Sequence, residues 1–136
     1  MKRSDFLYEH PCGLRIGRAL REDEVAALCG GETRDMGNGF VWRPLPVAEV
    51  EGGVLVMSLC FYRGTLVTAN VRVGDPAAVG QGWENWSEAE ERACVKRTEK
   101  WLRTLGYRPG NYRWCEIFTG YDAKGGSGGG VIRFHA

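Results

Sequence analysis

"GGVLVMSLCFYRGTLVTANVRVGD", residues 52–75, holds two runs rich in valine and leucine on either side of Arg63-Gly64. A two-residue connection ending in glycine fits the tight turn of a β-hairpin. Setting the turn there fixes a register. Val54 then opposes Val73, Val56 opposes Val71, Ser58 opposes Ala69 and Cys60 opposes Val67. These share one side, because directly opposed residues share a face, and that side is the expected core. The other side pairs Leu55 with Arg72, Met57 with Asn70, Leu59 with Thr68 and Phe61 with Leu66. It is apolar on one strand and mostly polar on the other, a face either partly covered by the chain or offered to a partner.

Outward from the hairpin, "NWSEAEERACVKRTEKWLRTLG" predicts a helix. Ser87 and Glu90 have capping-box spacing. Cys94, Thr98, Trp101, Leu102 and Leu105 form an apolar stripe at helical spacing. Glu88 with Arg92, and Glu99 with Arg103, are i,i+4 pairs for the wet side, and Gly106 is the stop. Before the hairpin, "LREDEVAALCGG" reads as a short helix. Its acidic start is Glu22, Asp23 and Glu24, its apolar side Val25 and Leu28, and its stop Gly30 or Gly31. "GNGFVWRPLPVAEV" reads as a strand at Phe40, Val41 and Trp42 that Pro44 and Pro46 confine to a sheet edge or terminate. After the long helix, "YRWCEIFTGY" is a strand and "GVIRFHA" its return partner. The expectation is one α+β domain over residues 1–136, in the order α-β-β-β-α-β-β. Two helices cover one face of an antiparallel sheet of about five strands.

Lys and Arg total 18 against 17 Asp and Glu. That balance disfavours a nucleic-acid binder, whose footprint is basic. No apolar run approaches the roughly 20 residues that span a bilayer. The opening "MKRSDFLYEHPCG" meets Asp5, Glu9 and His10 where a secretory signal needs its apolar stretch, so a cytoplasmic location and no membrane are expected. The five cysteines, Cys12, Cys29, Cys60, Cys94 and Cys115, are scattered singly. They read as free, mostly buried thiols rather than a disulfide framework or zinc ligands. No metal or cofactor is expected.

"GYDAKGGSGGGVIRF", residues 120–134, tests a phosphate-binding reading. A P-loop needs GxxxxGK[ST] between a strand and a helix, so that the helix N-terminus faces the phosphates. Here Lys124 precedes the glycines and a strand follows them. The glycines therefore read as a hairpin connection, with Asp122, Ala123, Lys124 and Gly125 as the turn. Gly128 to Gly130 lead into the last strand, where glycine also lets another backbone approach closely.

Candidate chemistry is thin. His10 and His135 lie near the termini, where chains fray. Cys115 with His135 on adjoining strands is a pair on paper. It is weighed against a buried structural thiol and an exposed terminal histidine. Glu116 alternates onto one face with Trp114 and Phe118 and, with Asp122, would supply an acid or base if the domain were an enzyme. The aromatic set points elsewhere. Trp83 and Trp86 stand at the entrance to the long helix, Tyr112 and Trp114 follow it, and Tyr121 flanks the glycine loop. Trp and Tyr are enriched at binding hot spots.

A mid-chain hairpin, a helix ending in "KWLRTLG" and the closing "YRWCEIFTGYDAKGGSGGGVIRF" resemble small bacterial proteins of the toxin-immunity kind. The resemblance covers roughly the last 50 residues. It implies a non-enzymatic protein that binds a toxin and occludes it, and it assigns no residue. The residues singled out for a partner are Trp83, Trp86, Tyr121, Asp122 and Lys124. The alternatives are a small ligand-binding domain or enzyme using the C-terminal glycine-rich loop, and an adaptor that pairs through a sheet edge formed by the last strand.

Overall fold

A computed structural model describes residues 6–28, 33–75, 87–122, 124 and 127–135. The strands are β1 (Phe6–Glu9), β2 (Arg15–Gly17), β3 (Arg34–Asp35), β4 (Phe40–Pro44), β5 (Ala48–Val50), β6 (Gly53–Tyr62), β7 (Thr65–Gly74), β8 (Gly110–Asn111), β9 (Cys115–Asp122) and β10 (Ser127–Phe134). The helices are α1 (Glu22–Leu28) and α2 (Glu88–Thr104). β1 and β2 form a separate two-stranded hairpin. The rest make an eight-stranded antiparallel sheet in the order β3-β4-β6-β7-β10-β9-β8, with β5 also paired to β6. The α+β architecture and the two helices are as expected. The sheet is wider than the expected five strands because β3, β5 and β8 are only two or three residues long. Runs that short carry no readable alternation.

The β6–β7 turn is where the sequence puts it. Tyr62 pairs with Thr65, and Arg63 (φ 49) and Gly64 (φ 86) both adopt the positive φ that a type I′ turn requires. The register extrapolated from that turn is overturned beyond Phe61. Phe61 opposes Leu66, but Cys60 opposes Thr68, so Val67 is an extra residue. A β-bulge shifts every later pair by one. Leu55 now faces Val73, Met57 faces Val71 and Leu59 faces Ala69. All six are buried, together with Phe61 and Leu66. The core face is therefore uniformly apolar, and the polar residues Ser58, Asn70 and Arg72 move together to the opposite face. The hydrophobic effect explains the bulge: without it, Leu59 and Met57 would share a face with Thr68 and Asn70.

One core lies on that apolar face. It joins β6, β7 and β10 to Leu7, Leu14 and Ile16 of the N-terminal hairpin region, to Val25 of α1, and to Trp101 and Leu102 of α2. The edge of Tyr8 meets the Trp101 ring at 5.0 Å. α1 is docked at its N-terminus, where Glu22 N–H donates to the Gly64 carbonyl and the Glu22 carboxylate binds Arg43 of β4 at 2.9 Å. Val25 is its buried residue; Leu28, expected on the apolar side, is 58% exposed. Gly30 and Gly31 lie outside the described residues.

α2 begins and ends as its sequence dictates. Ser87 Oγ accepts from Glu90 N–H. At the other end Gly106 (φ 90) donates to the Arg103 carbonyl and Tyr107 N–H to the Leu102 carbonyl, a Schellman closure with Tyr107 and Leu102 both buried. Cys94, Thr98, Trp101 and Leu102 of the expected stripe are buried. Glu88 pairs with Arg92 as expected. Glu99 instead accepts from the Thr119 hydroxyl of β9 at 2.6 Å.

α2 crosses the sheet where β7 and β10 part. Their pairing stops at Val71 and Gly130. Beyond it the helix supplies the missing partners: Thr98 Oγ1 accepts from Val73 N–H, and Glu91 accepts from Gly128 N–H while pairing with both terminal guanidinium nitrogens of Arg72. Gly128 is needed here, because a Cβ would overlap the Glu91 carbonyl oxygen. The close backbone approach expected of these glycines is thus made by the chain's own helix.

Candidate functional site

Both helices sit on one side of the sheet, and the other side is uncovered among the described residues. Alternation places Trp42 of β4, Val56 and Ser58 of β6, Asn70 and the stem of Arg72 of β7, Val131 and Arg133 of β10, and Glu116 and Phe118 of β9 on this open side, while the Arg72 guanidinium reaches Glu91 of α2. A hollow of about 910 Å³ lies over β6, β7, β10 and β9. A second, of about 650 Å³, lies over Arg34, Met36, Trp42 and Pro44. They share Ser58 and Asn70, so one trough crosses the sheet.

The floor at the β9–β10 end is bare backbone, since Gly120 opposes Gly129. The Phe118 ring leans over Gly120, 3.0 Å from where a Cβ would stand, and Phe118 is 63% exposed. Beside it Glu116 opposes Arg133 on the neighbouring strand, and both are exposed. Among the described residues neither has an ion-pair partner. At the far end the exposed rings of Phe40 and Tyr62 lie 4.7 Å apart. The trough therefore combines exposed aromatic surface, neutral hydrogen-bonding groups and one unengaged charge of each sign.

The residues singled out for a partner are only partly brought together. Trp83 and Trp86 lie outside the described residues. Tyr121 is half-buried on the helix side, with the Arg92 guanidinium 4.6 Å above its ring. Asp122 follows on the open side, and Lys124 is exposed in the turn, its N–H held by the Asp122 carboxylate at 3.0 Å. Of the turn expected at residues 122–125, Ala123 and Gly125 lie outside the described residues. Trp114, read among the candidate binding aromatics, is buried against Tyr107 and Phe134. It is not on the face of Glu116 and Phe118, because β9 begins only at Cys115 and the chain turns before it.

The remaining chemical candidates are structural. Cys115 is wholly buried, and its thiol is pushed up to about 11 by burial. His135 is exposed and its Nε2 meets Asn111 Oδ1, so the two do not form a nucleophile–base pair. Cys94 is likewise pushed up to about 11, mainly by burial. His10, expected to fray, is 2% exposed. Its Nδ1 accepts from Cys12 N–H at 3.1 Å, and burial holds its pKa below the usual value, partly offset by the Pro46 carbonyl. The last strand is no edge, since β10 is flanked by β7 and β9. This corrects the reading in which an adaptor pairs through it. Among the described residues no helix is long and apolar enough to cross a membrane. Comparison with known protein families, with curated proteins and with solved structures returns no match.

The open face carried signals that were overlooked. Phe118, Gly120, Val131 and Arg133 alternate with residues of the buried face. Read with the bulge, Ser58, Asn70 and Arg72 fall beside them.

Proposed function

We propose that this chain is a non-enzymatic binding protein of the toxin-immunity kind, which receives a protein partner on the open side of its sheet and neutralises it by occlusion. The carrying observation is the uncovered trough with Phe118 at its rim. Leaving a large aromatic 63% exposed beside Glu116 and Arg133, which have no ion-pair partner among the described residues, is costly in isolation. It is useful where a partner supplies an apolar cover and complementary charges. A standard protein interface takes about 800 Å² from each side, and a trough spanning β4 to β9 offers room for that. Occlusion needs no reacting group, and it agrees with the resemblance in the C-terminal third.

The test begins by capturing the partner with the tagged protein and expressing the captured protein alone. Expected is a toxic protein whose effect is relieved by co-expression of the wild-type chain. A Phe118→Glu variant of unchanged thermal stability should fail to relieve it. If that variant protects as well as wild type, the open face is not the site.

A second reading, a small-ligand domain or enzyme, is favoured by one observation: Glu116 and Asp122 both line the larger hollow. Its volume lies in the range of small-molecule sites. It requires a small molecule that raises the melting temperature of the chain alone and a Glu116→Gln variant that loses this rise; the protein-binding reading requires neither.

A further inference from the structure

β9 outruns its outer neighbour. β8 pairs only with Glu116 and Ile117, and β9 continues from Phe118 to Asp122 with no described strand beyond it. The backbone directions follow from two hydrogen bonds. The Cys115 carbonyl accepts from Tyr112 N–H on the outer side, at 2.7 Å, and the Trp114 carbonyl accepts from His135 N–H on the β10 side, at 2.9 Å. By alternation Phe118 and Gly120 bond towards β10, while the N–H and C=O groups of Thr119 and Tyr121 point out of the sheet. Residues 118–121 are Phe, Thr, Gly and Tyr. They include no charge and no proline, two common devices that blunt an exposed edge.

The flank of α2 nearest this edge is basic. Arg92 lies over Tyr121 and Glu99 accepts from Thr119, which sets the row 92, 96, 99 and 103 on the β9 side of the helix. Glu99 is engaged by Thr119 and Arg92 by Glu88. Lys96 and Arg103 are exposed and have no ion-pair partner among the described residues.

We propose that the outer edge of β9, from Phe118 to Asp122, is a docking edge for an extended acidic segment of the protein partner. The segment adds to the sheet as a strand, bonding Thr119 and Tyr121 and turning alternate carboxylates towards Lys96 and Arg103. This rests on the reading that the chain binds a protein, and it locates where part of that protein lies. A second copy of the chain is the poorer occupant. Two β9 edges related by a two-fold axis would place both α2 flanks on one side, cation against cation.

The test is amide exchange followed by NMR, using as probe a capped octapeptide of alternating glutamate and valine. In the free protein Thr119 and Tyr121 should exchange quickly, while Phe118 and Gly120 are protected. Saturating probe should slow Thr119 and Tyr121 by about tenfold or more, and a lysine–valine peptide should not. Lys96→Glu with Arg103→Glu should weaken the glutamate probe about tenfold. The proposal is overturned if the probe leaves both amides unchanged or if both peptides protect them equally. It is also overturned if the two amides are already protected in a concentration-dependent way without peptide, which is the signature of a second copy. Failure here with loss of toxin relief in Phe118→Glu would discard the edge and leave the open-face reading standing.

Discussion

Replacing Gly128 by alanine adds one methyl group at the point where helix and sheet are closest. The new Cβ would overlap the Glu91 carbonyl oxygen and stand 2.8 Å from the Glu91 carbonyl carbon and 2.9 Å from Val95 Cγ2. Two of these three atoms are helix backbone, so relief requires α2 to move rather than a side chain to turn. Overpacking of this kind costs about 1–3 kcal/mol. Moving the helix also stretches the bond from Gly128 N–H to the Glu91 carboxylate, now 3.1 Å. A hydrogen bond to a charged group contributes about 1.5–3 kcal/mol. Loss of unfolded-chain entropy offsets about 0.4–1 kcal/mol. The net expectation is a destabilisation of about 3 kcal/mol, a large share of the roughly 5–15 kcal/mol that holds a domain folded. Urea unfolding should show the midpoint lowered by more than about 1 M. Gly120→Ala is the internal control. Its nearest neighbour is the exposed Phe118 ring at 3.0 Å, which is free to swing away, so the cost should stay under about 1 kcal/mol. A Gly128→Ala midpoint indistinguishable from that of Gly120→Ala would refute the claimed contact between α2 and β10.

Four further outcomes follow from the buried groups. His10 has a lowered pKa in the fold, so the unfolded chain binds a proton near pH 6.5 that the folded one refuses. Stability should fall as pH drops below that value towards the folded pKa, and His10→Asn should flatten this limb of a pH series of urea midpoints. A second limb belongs to Glu91, whose pKa is lowered chiefly by its bonds to Arg72. Its stabilisation is complete above about pH 4.5 and is lost as the pH falls through the folded value; a Glu91→Gln variant should lack this loss. Cys94 and Cys115, wholly buried and pushed up to about 11, should stay unmodified by a thiol reagent at neutral pH and react fully in denaturant, as peptide mapping would show. Trp101→Ala should cost about 3–5 kcal/mol, read as a fall in melting temperature, because Trp101 is buried and packs on Tyr8.

The parts of the fold legible in the sequence were those with a local cause. The Arg63-Gly64 turn, the Ser87 cap and the Gly106 stop each depend on a few adjacent residues, and each stands where the residues demand. The strand interiors β4, β6, β7, β9 and β10 were legible from composition. The bulge at Val67 was not, because nothing in Val67 or its neighbours marks it. It is set by the distant requirement that Leu59, Met57 and Leu55 face the same core as Ala69, Val71 and Val73. The same error of phase hid the candidate site. Until Ser58, Asn70 and Arg72 were placed on one side, no trough existed to which Phe118 and Arg133 could belong. Glycines 128–130 were rightly read as permitting a close approach, but the approaching backbone lies 37 positions back along the chain.

The sheet order has a consequence for how the molecule is made. β10 is the last of the described strands to be synthesised, yet it stands between β7 and β9 and joins the two halves of the sheet. On a ribosome, β3 to β7 can pair among themselves, and α2 with β8 and β9 can wait beside them, but the joint closes only when β10 emerges. Its pairing with β7 links Val71 to Gly130, a long loop to close before any contact compensates for it. Until then β7 presents an unpaired margin at Ala69 and Val71 to its surroundings. Folding of this domain should therefore be limited by capture of β10, and the nascent protein should be most prone to misassociation in the interval just before that strand is free.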